Sequence, residues 1–421
     1  MLIDFTIENY KSIKEARTFS FISGACSEHN DSIPTFDNTL EQMILPVSVL
    51  YGANGSGKTV LLNGLKDLAF LVSNSITIQE GDLLPYFSHK LDLEWTEKPT
   101  QIEVNFTVGE NRYYYGISFN RIEILEEYLY TYPKNRMKKI FHRKKDIYEF
   151  SSDKSELENL SKKTLKNRLF LSVASNWNYE KVKPAFLFLK EDLIFSLVED
   201  SYNQMNWMIY TSEKLKDDEK FKEWVLNVFN ELDFGICDMT VEIENVRNSE
   251  LDHLGMVGSS KTDGFKKLRL ETIRNGKNTN KDSVPISMPF NTESDGTQKL
   301  FALLGPIYDM LNKGKIIIFD ELDIKLHPLI TRYIISIFQN KEFNKNQSQL
   351  LFTTHDTNLL DLNFMRRDQI WFAEKDDYGA SDYYSLYNLN NVRKTENIQK
   401  NYIRGKYGAI PFLKSGELND R

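Results

Sequence analysis

Features of secreted, zinc-binding and membrane proteins are scarce in this sequence. Its 421 residues contain only two cysteines, Cys26 and Cys237, which are far apart and have no Cys-x-x-Cys or Cys/His spacing. Neither a disulfide framework nor a zinc site is therefore indicated. No apolar run approaches the roughly 18 residues that span a bilayer, and the opening residues Met1–Phe5 lack the basic-then-apolar layout of a signal peptide. We expect a cytoplasmic protein with no membrane segment.

An excess of positive charge is lacking as well. The formal net charge is −7, which argues against a protein that coats nucleic acid with its whole surface, although charge can be local. Seven basic side chains do cluster in one stretch: Lys134, Arg136, Lys138, Lys139, Arg143, Lys144 and Lys145. Such a cluster can contact phosphates or line a solvated hairpin rim. Because no nucleic-acid motif accompanies it, the second interpretation is favoured.

What the chain does contain is a phosphate-binding loop, with the sequence YGANGSGKTV at residues 51–60. The apolar stretch 44–50 before it predicts a buried strand. The apolar spacing after it predicts a helix with this inner face: Leu61, Leu62, Leu65, Leu68, Ala69 and Val72. Strand, loop and helix are the context that G-x-x-x-x-G-K-[ST] requires. We predict that a nucleoside triphosphate is bound by Gly52, Asn54, Gly55, Ser56, Gly57, Lys58 and Thr59.

Two members of this loop have side-chain roles that follow from their chemistry. Lys58 is expected to reach the β- and γ-phosphates as a positive charge, and the Thr59 hydroxyl to bind Mg²⁺. The glycines allow the backbone to wrap closely, so that its N–H groups and the helix N-terminus point at phosphate oxygens.

Two acidic residues end a second informative strand. The apolar run Ile316–Phe319 is followed by Asp320 and Glu321. Many strands end in acidic loops, but after a P-loop in the same chain this pattern predicts the second half of a nucleotide site. Asp320 would hold Mg²⁺, and Glu321 would accept a proton from the attacking water.

A histidine and a helix start complete the set of candidates. His355 ends the apolar strand 349–354 and could orient the attacking water. A lone histidine at a strand end is more often structural, but the order of the preceding motifs favours the catalytic interpretation. Ser294 and Gly296 precede the amphipathic helix predicted for 300–311, where they could bind an anion or simply cap the helix.

Taken together, these motifs resemble the ABC-type ATPase superfamily, in which they occur in this order. The branch in question has no membrane segments and includes chromosome-maintenance, recombination and overcoming-lysogenization-defect ATPases. More narrowly, the sequence is similar to the abortive-infection ATPases of bacterial anti-phage defence, often called AAA-type, with restriction-linked and PARIS-like members. The segments that carry this resemblance are 293–297 (ESDGT), 321–328 (ELDIKLHP), 353–360 (TTHDTNLL), 366–372 (RRDQIWF) and 404–411 (RGKYGAIP).

The resemblance implies an α/β fold, namely a P-loop NTPase of ABC-ATPase type with a β-rich lobe and an inserted helical lobe. We expect the N-terminal half of the core in 1–90, the β-rich lobe in 91–150, a helical or irregular insertion in 151–290 and the C-terminal half of the core in 291–421. Clean alternation at Ile102, Val104, Phe106 and Val108 supports the lobe. The polar composition of 245–282 predicts a loop.

The resemblance also implies an ATP sandwich, in which Ser294 and Gly296 of one copy complete the site of a second copy. We therefore expect a homodimer or a larger assembly that uses ATP and Mg²⁺. Only 66 residues follow His355 (421 minus 355), without an acidic nuclease cluster, and the resemblance implies an effector protein, a nuclease, supplied in trans.

Two alternatives remain open at this point. One is a recombination or repair ATPase that clamps DNA, in which the basic cluster would bind nucleic acid. The other is a regulator that binds ATP and barely hydrolyses it.

Overall fold

The computed structural model describes residues 1–26, 43–196, 201–246, 265–390, 392–393 and 395–411. The chain divides into two compact units. The first comprises Met1–Leu197, Leu311–Asp323 and Arg332–Arg421, and the second comprises Val198–Met310 and Ile324–Thr331.

Strands are found along most of the described chain. In chain order they are β1 Leu2–Glu8, β2 Arg17–Ser20, β3 Val47–Gly52, β4 Thr100–Val108, β5 Asn111–Phe119, β6 Ile124–Thr131, β7 Lys138–Lys144, β8 Ile147–Phe150, β9 Leu193–Ser196, β10 Asp238–Val246, β11 Phe265–Lys277, β12 Ser283–Pro289, β13 Ile316–Phe319, β14 Gln349–Thr353, β15 Ile370–Lys375 and β16 Ser381–Ser385.

The α-helices of the described residues lie between strands or after the last strand. They are α1 Lys58–Asn74, α2 Lys154–Ser161, α3 Phe170–Asn176, α4 Lys183–Leu187, α5 Ser201–Asp217, α6 Glu219–Glu231, α7 Asp295–Lys313, α8 Pro328–Gln339 and α9 Ile398–Ile403. Among the helices described, none combines the length and the apolar content needed to cross a bilayer.

The core of the first unit is a six-stranded sheet in the order β16-β15-β3-β14-β13-β9. All neighbours are parallel except β15 and β16. Every residue of β3, β13 and β14 is buried, as expected of parallel strands covered on both faces. The strands predicted before the P-loop, before Asp320 and before His355 are therefore confirmed.

Strand β9 was not predicted. Leu193–Ser196 pairs with β13 at the edge of the core sheet, although the expected insertion began at residue 151. A run of four residues beside an apolar helical stretch cannot be assigned by periodicity alone. The segment that leads to β9 belongs to the first unit, so the unit boundaries do not coincide with the expected boundaries at 150/151 and 290/291.

The second sheet of the first unit is fully antiparallel, in the order β2-β1-β4-β5-β6-β7-β8. Ile102, Val104 and Phe106 on β4 are completely buried, which confirms the alternation read from the sequence; Val108, the last residue of that series, is partly buried. The sheet also takes β1 and β2 from the chain start, which had been assigned to the ATPase core. Helix α1 lies against β1, where Gly64 leaves room for Ile7.

The second unit combines helices with a three-stranded antiparallel sheet, β10-β11-β12. The loop predicted for 245–282 is therefore wrong at 245–246, which end β10, and at Phe265–Lys277, which form β11. Residues 278–282 do form a loop, and residues 247–264 lie outside the described residues. Leu268, Leu270 and Thr272 alternate with charged residues, and the last two are buried. The overall polar composition of 245–282 concealed this alternation, in which every second residue lies on the same face of the strand.

One glycine allows two helices of the second unit to approach closely. Gly305 on α7 has no side chain where Thr211 of α5 approaches, so that a Cβ there would lie 3.1 Å from the Thr211 Cα. The Thr211 hydroxyl donates to the carbonyl oxygen of Ala302 at 3.1 Å. This close contact holds α7, the helix that Ser294 precedes, against α5.

Candidate nucleotide site

The P-loop joins the end of β3 to the start of α1. Gly57, the residue before the helix, has a φ of 108° and no side chain to cap the helix, so its conformation is one that side-chain-bearing residues rarely adopt. A Cβ on Gly57 would collide with the Ser381 hydroxyl and lie 2.8 Å from the Tyr383 hydroxyl. Asn54 and Gly55 are exposed at the tip of the loop.

Lys58 folds back over the loop that precedes it. Its Nζ donates to the carbonyl oxygens of Gly52 at 2.8 Å and Ala53 at 3.3 Å. Burial lowers the pKa of Lys58 from its ordinary value, and the negative charges of Asp320 and Glu321 nearby act in the opposite direction. A buried cation is thus held at the loop, where a phosphate would need a counter-charge.

A short chain of hydrogen bonds fixes the acid at the end of β13. The Thr59 hydroxyl donates to Asp320 Oδ2 at 2.7 Å, and the Thr353 hydroxyl donates to Asp320 Oδ1 at 2.5 Å. Asp320 is 7% exposed. Its two oxygens are thereby oriented from the P-loop on one side and from β14 on the other.

The adjacent acid points elsewhere because the backbone turns sharply. Glu321 has a φ of 53°, a left-handed conformation that costs a non-glycine residue about 1–3 kcal/mol. Its N–H donates to Thr353 Oγ1 at 2.8 Å, which holds the turn in place. The side chain of Glu321 is 30% exposed and its Oε1 lies 3.8 Å from His355 Nε2.

His355 lies between Glu321 and the P-loop lysine. Its Nε2 is 3.2 Å from Lys58 Nζ, and because an ammonium group can only donate, Nε2 is the acceptor and the imidazole is neutral. Burial, with the positive charge of Lys58 second, lowers the pKa of His355. The ring therefore stays neutral to a lower pH than an ordinary histidine.

Thr353, Asp323, Ser381 and Tyr383 are members of this site that the sequence analysis missed. Asp323 is close enough to act electrostatically on Lys58. Thr353 had a usable signal, since it ends β14 two positions before His355. Ser381 and Tyr383 gave none, because no motif surrounds them.

Ser294 and Gly296 lie in the second unit, at the start of α7. The N–H of Thr297 donates to Ser294 Oγ at 3.2 Å and the N–H of Gln298 donates to Ser294 O at 3.0 Å, so Ser294 caps the helix. A Cβ on Gly296 would lie 2.9 Å from the carbonyl oxygen of Lys325. The Lys325 ammonium in turn pairs with Asp295 at 3.0 Å.

An open cleft of about 620 Å³ adjoins this helix start within the second unit. Ser294, Gly296, Lys325 and His327 line it, together with the exposed apolar side chain of Leu329. The cleft therefore offers hydroxyl, cationic and apolar groups around the beginning of a long helix.

Four of the seven side chains in the basic cluster at 134–145 are paired with acids or buried. Arg143 is completely buried and donates to the carbonyl oxygens of Arg168 at 2.6 Å and Lys145 at 2.8 Å. Lys144 lies 3.4 Å from Glu126, and Lys145 lies 3.4 Å from Glu123. Lys139 pairs with Glu149. These contacts favour a structural role for Arg143 and a hairpin surface of mixed charge.

The residues of the first-unit site fit a triphosphate with Mg²⁺. Thr59 and Asp320 place hydroxyl and carboxylate oxygens side by side, which are the ligands that Mg²⁺ prefers. The buried Ser56 hydroxyl, within the loop, has no hydrogen-bond partner among the described residues. With the parallel sheet that carries them, these residues define an α/β fold of the P-loop NTPase class.

Comparison with known proteins assigns the family. Residues 47–361, about three quarters of the chain, match the family model described as "AAA domain, putative AbiEii toxin, Type IV TA system". The chain belongs to this family. Comparison with curated proteins finds no match.

Two solved structures align over most of the chain. One is an Smc head bound to the C-winged helix domain of ScpA, at 13% identity and a TM-score of 0.35, covering 91% of this chain and 97% of that one. The other is the Smc head domain with an extended coiled coil bound to the C-terminal domain of ScpA from Pyrococcus furiosus, at 14% identity and a TM-score of 0.37, covering 91% and 96%. These alignments are long but loose, and the family match alone assigns the chain.

Proposed function

We propose that this protein binds and hydrolyses MgATP, as the ATPase component of a bacterial anti-phage defence system of the abortive-infection type. The observation that carries the ATPase proposal is the convergence of Lys58, Thr59, Asp320, Glu321 and His355 at the carboxyl ends of three parallel strands. That edge of a parallel sheet is where P-loop proteins bind nucleotide.

Each of these side chains has a role that its surroundings support. Lys58 and the P-loop N–H groups hold the phosphates, and Thr59 with Asp320 holds Mg²⁺. When bound, Mg²⁺ neutralises charge on the transferring phosphoryl group. Glu321 is partly exposed and accepts the proton of the attacking water, while neutral His355 orients that water by hydrogen bonding.

A direct test compares Lys58→Ala with the wild type by titration calorimetry using MgATP. Lys58 is the only lysine of the loop, so its loss should abolish detectable binding or turnover. Unchanged affinity and unchanged hydrolysis in this variant would remove the P-loop from the proposal.

The second part of the proposal is assembly. In the ABC-type arrangement the helix start at Ser294 faces the nucleotide of a second copy, so hydrolysis requires two chains. The cleft beside Ser294 and Gly296, with the Lys325 ammonium, suits an anion presented from outside the unit. A homodimer, or an assembly of dimers, follows.

Mixed subunits test this arrangement. Ser294→Arg should leave MgATP binding nearly intact but reduce hydrolysis, and a mixture of Ser294→Arg with Lys58→Ala should regain activity above either variant. A mixed pair keeps one site with an intact P-loop and an intact partner helix. Transfer of a labelled subunit must first be demonstrated. If subunits exchange and every ratio stays inactive, the two-chain site is wrong.

The defence role is supported by the family description, which refers to an AbiEii toxin of a type IV toxin–antitoxin system, and by the motif resemblance. We propose that the ATPase controls an effector protein in trans, a nuclease. A phage plating assay tests this proposal, with cells that carry this gene together with the adjacent gene on the chromosome. Glu321→Gln should abolish protection, and protection by the neighbour alone would contradict it.

The alternative of a DNA-clamping ATPase rests on the basic cluster of β7. Pairing of Lys139, Lys144 and Lys145 with glutamates, and burial of Arg143, reduce its support. Duplex binding with a steep dependence on salt concentration would restore it.

A further inference from the structure

Two hydroxyl groups from β16 hold the backbone of the P-loop. The Ser381 hydroxyl donates to the carbonyl oxygen of Ser56 at 2.7 Å, and the Tyr383 hydroxyl donates to the carbonyl oxygen of Gly57 at 2.8 Å. Ser381 is 2% exposed and Tyr383 is 6% exposed. Strand β16 is joined to β3, the strand that leads into the loop, through β15.

Fixing these carbonyl groups also fixes the N–H groups that share their peptide planes. A trans peptide is planar, and its C=O and N–H point in opposite directions. The Ser56 carbonyl is in one plane with the Gly57 N–H, and the Gly57 carbonyl is in one plane with the Lys58 N–H. Holding both oxygens toward β16 therefore directs both N–H groups away from it.

We propose that Ser381 and Tyr383 are positioning residues of the nucleotide site, which preset two P-loop N–H groups for phosphate oxygens. This inference rests on the proposed function, since it requires nucleotide at this loop. It also gives a reason for glycine at position 57. The two hydroxyls occupy the space into which a Cβ would project, so loop and strand are fitted to each other.

A third residue ties this arrangement to the antiparallel sheet. The N–H of Ser381 donates to the carbonyl oxygen of Ser12 at 2.7 Å, and the hydroxyl oxygens of Ser12 and Ser381 lie 2.8 Å apart. The Ser381 hydroxyl has a single proton, and it donates that proton to the Ser56 carbonyl oxygen, which can only accept. Between the hydroxyls of Ser12 and Ser381, Ser12 is therefore the donor. Ser12 follows β1, so the P-loop is supported from both sheets of the first unit.

The test uses Tyr383→Phe and Ser381→Ala, with MgADP affinity measured by titration calorimetry and MgATP turnover measured at saturation. MgADP engages the loop without requiring a second copy. Loss of each hydrogen bond should weaken the binding of MgADP about fivefold. For MgATP, KM should rise with kcat nearly unchanged, because the P-loop contacts exist before and during phosphoryl transfer.

Two further variants separate positioning from general packing. Tyr384→Phe makes the same change at the next residue of β16, where the hydroxyl oxygen lies 2.9 Å from Glu374 Oε2 and 2.7 Å from the Tyr407 carbonyl oxygen. Its MgADP affinity should equal that of the wild type. Ser381→Thr keeps a hydroxyl and should restore much of the affinity that Ser381→Ala loses.

The outcomes are distinguishable. Wild-type affinity in both Tyr383→Phe and Ser381→Ala, or an equal loss in Tyr384→Phe, overturns the positioning role while leaving nucleotide binding intact. A wild-type protein that binds neither MgADP nor MgATP overturns the proposed function instead.

Discussion

Removal of the Thr353 hydroxyl should damage both the stability and the chemistry of this protein. Thr353→Val keeps the shape of a fully buried side chain but removes the donor to Asp320 Oδ1 and the acceptor of the Glu321 N–H. A hydrogen bond to a charged group contributes about 1.5–3 kcal/mol, and an N–H left partly buried without a partner costs about 1 kcal/mol. The free energy of unfolding should therefore fall by roughly 2.5–4 kcal/mol.

The same substitution should slow hydrolysis for a separate reason. The Thr353 hydroxyl accepts the hydrogen bond that holds the left-handed turn at Glu321. Without this hydrogen bond, the strained backbone conformation at Glu321 is less well stabilised. A displacement of about 1 Å at a reacting group can reduce a rate about a hundredfold. We expect turnover more than about tenfold lower at saturating MgATP, with MgADP affinity reduced much less.

Urea titration provides the stability measurement, with a matched control on the neighbouring strand. Ser48 on β3 is also completely buried, but its hydroxyl has no hydrogen-bond partner among the described residues. Ser48→Ala should be neutral or stabilise the protein by up to about 1 kcal/mol. The urea midpoints can be compared directly when the slope of the free energy of unfolding against urea concentration is the same for each variant. A Thr353→Val midpoint equal to that of Ser48→Ala would refute the role of the hydrogen-bonded chain.

Three other changes are informative. Glu321→Gln should keep MgATP binding but slow turnover by at least about tenfold, about 1.4 kcal/mol, as a single-turnover assay would measure. The pKa of His355 is lowered, and its protonation would place a second cation beside Lys58. Turnover should therefore persist down to about pH 6.5 and fall only at lower pH. In a pH–rate profile, His355→Gln should lose this fall in rate at low pH. Gly57→Ala should abolish MgADP binding, since its Cβ would meet Ser381. Gly55→Ala, whose Cβ meets no atom within 4 Å but whose φ of 78° is unfavourable for alanine, should weaken the calorimetric affinity less.

Local patterns predicted the parts of the site that are contiguous in sequence. The P-loop with its flanking strand and helix is one continuous segment, so a single motif predicts its structure, and all six residues predicted for the inner face of α1 are buried. The strands before Asp320 and His355 were predictable because buried parallel strands have apolar residues on both faces.

What could not be predicted depends on contacts that are distant in sequence. Ser381 and Ser56 are 325 positions apart, and a serine on a short strand gives no sign of such a contact. Arg143 was grouped with exposed basic residues because its neighbours in sequence are basic. Its burial depends on the carbonyl oxygens of Lys166 and Arg168, which come from a later segment.

The parallel sheet makes the nucleotide site dependent on segments from nearly the whole chain. Lys58, Asp320 and His355 follow β3, β13 and β14, and parallel neighbours bring their carboxyl ends to one edge. The edge strand β16 adds no group that reaches the chemistry, yet it holds the loop that does. A change on β16 should therefore alter nucleotide affinity before it alters the chemical step, whereas a change at the end of β13 or β14 should do the reverse.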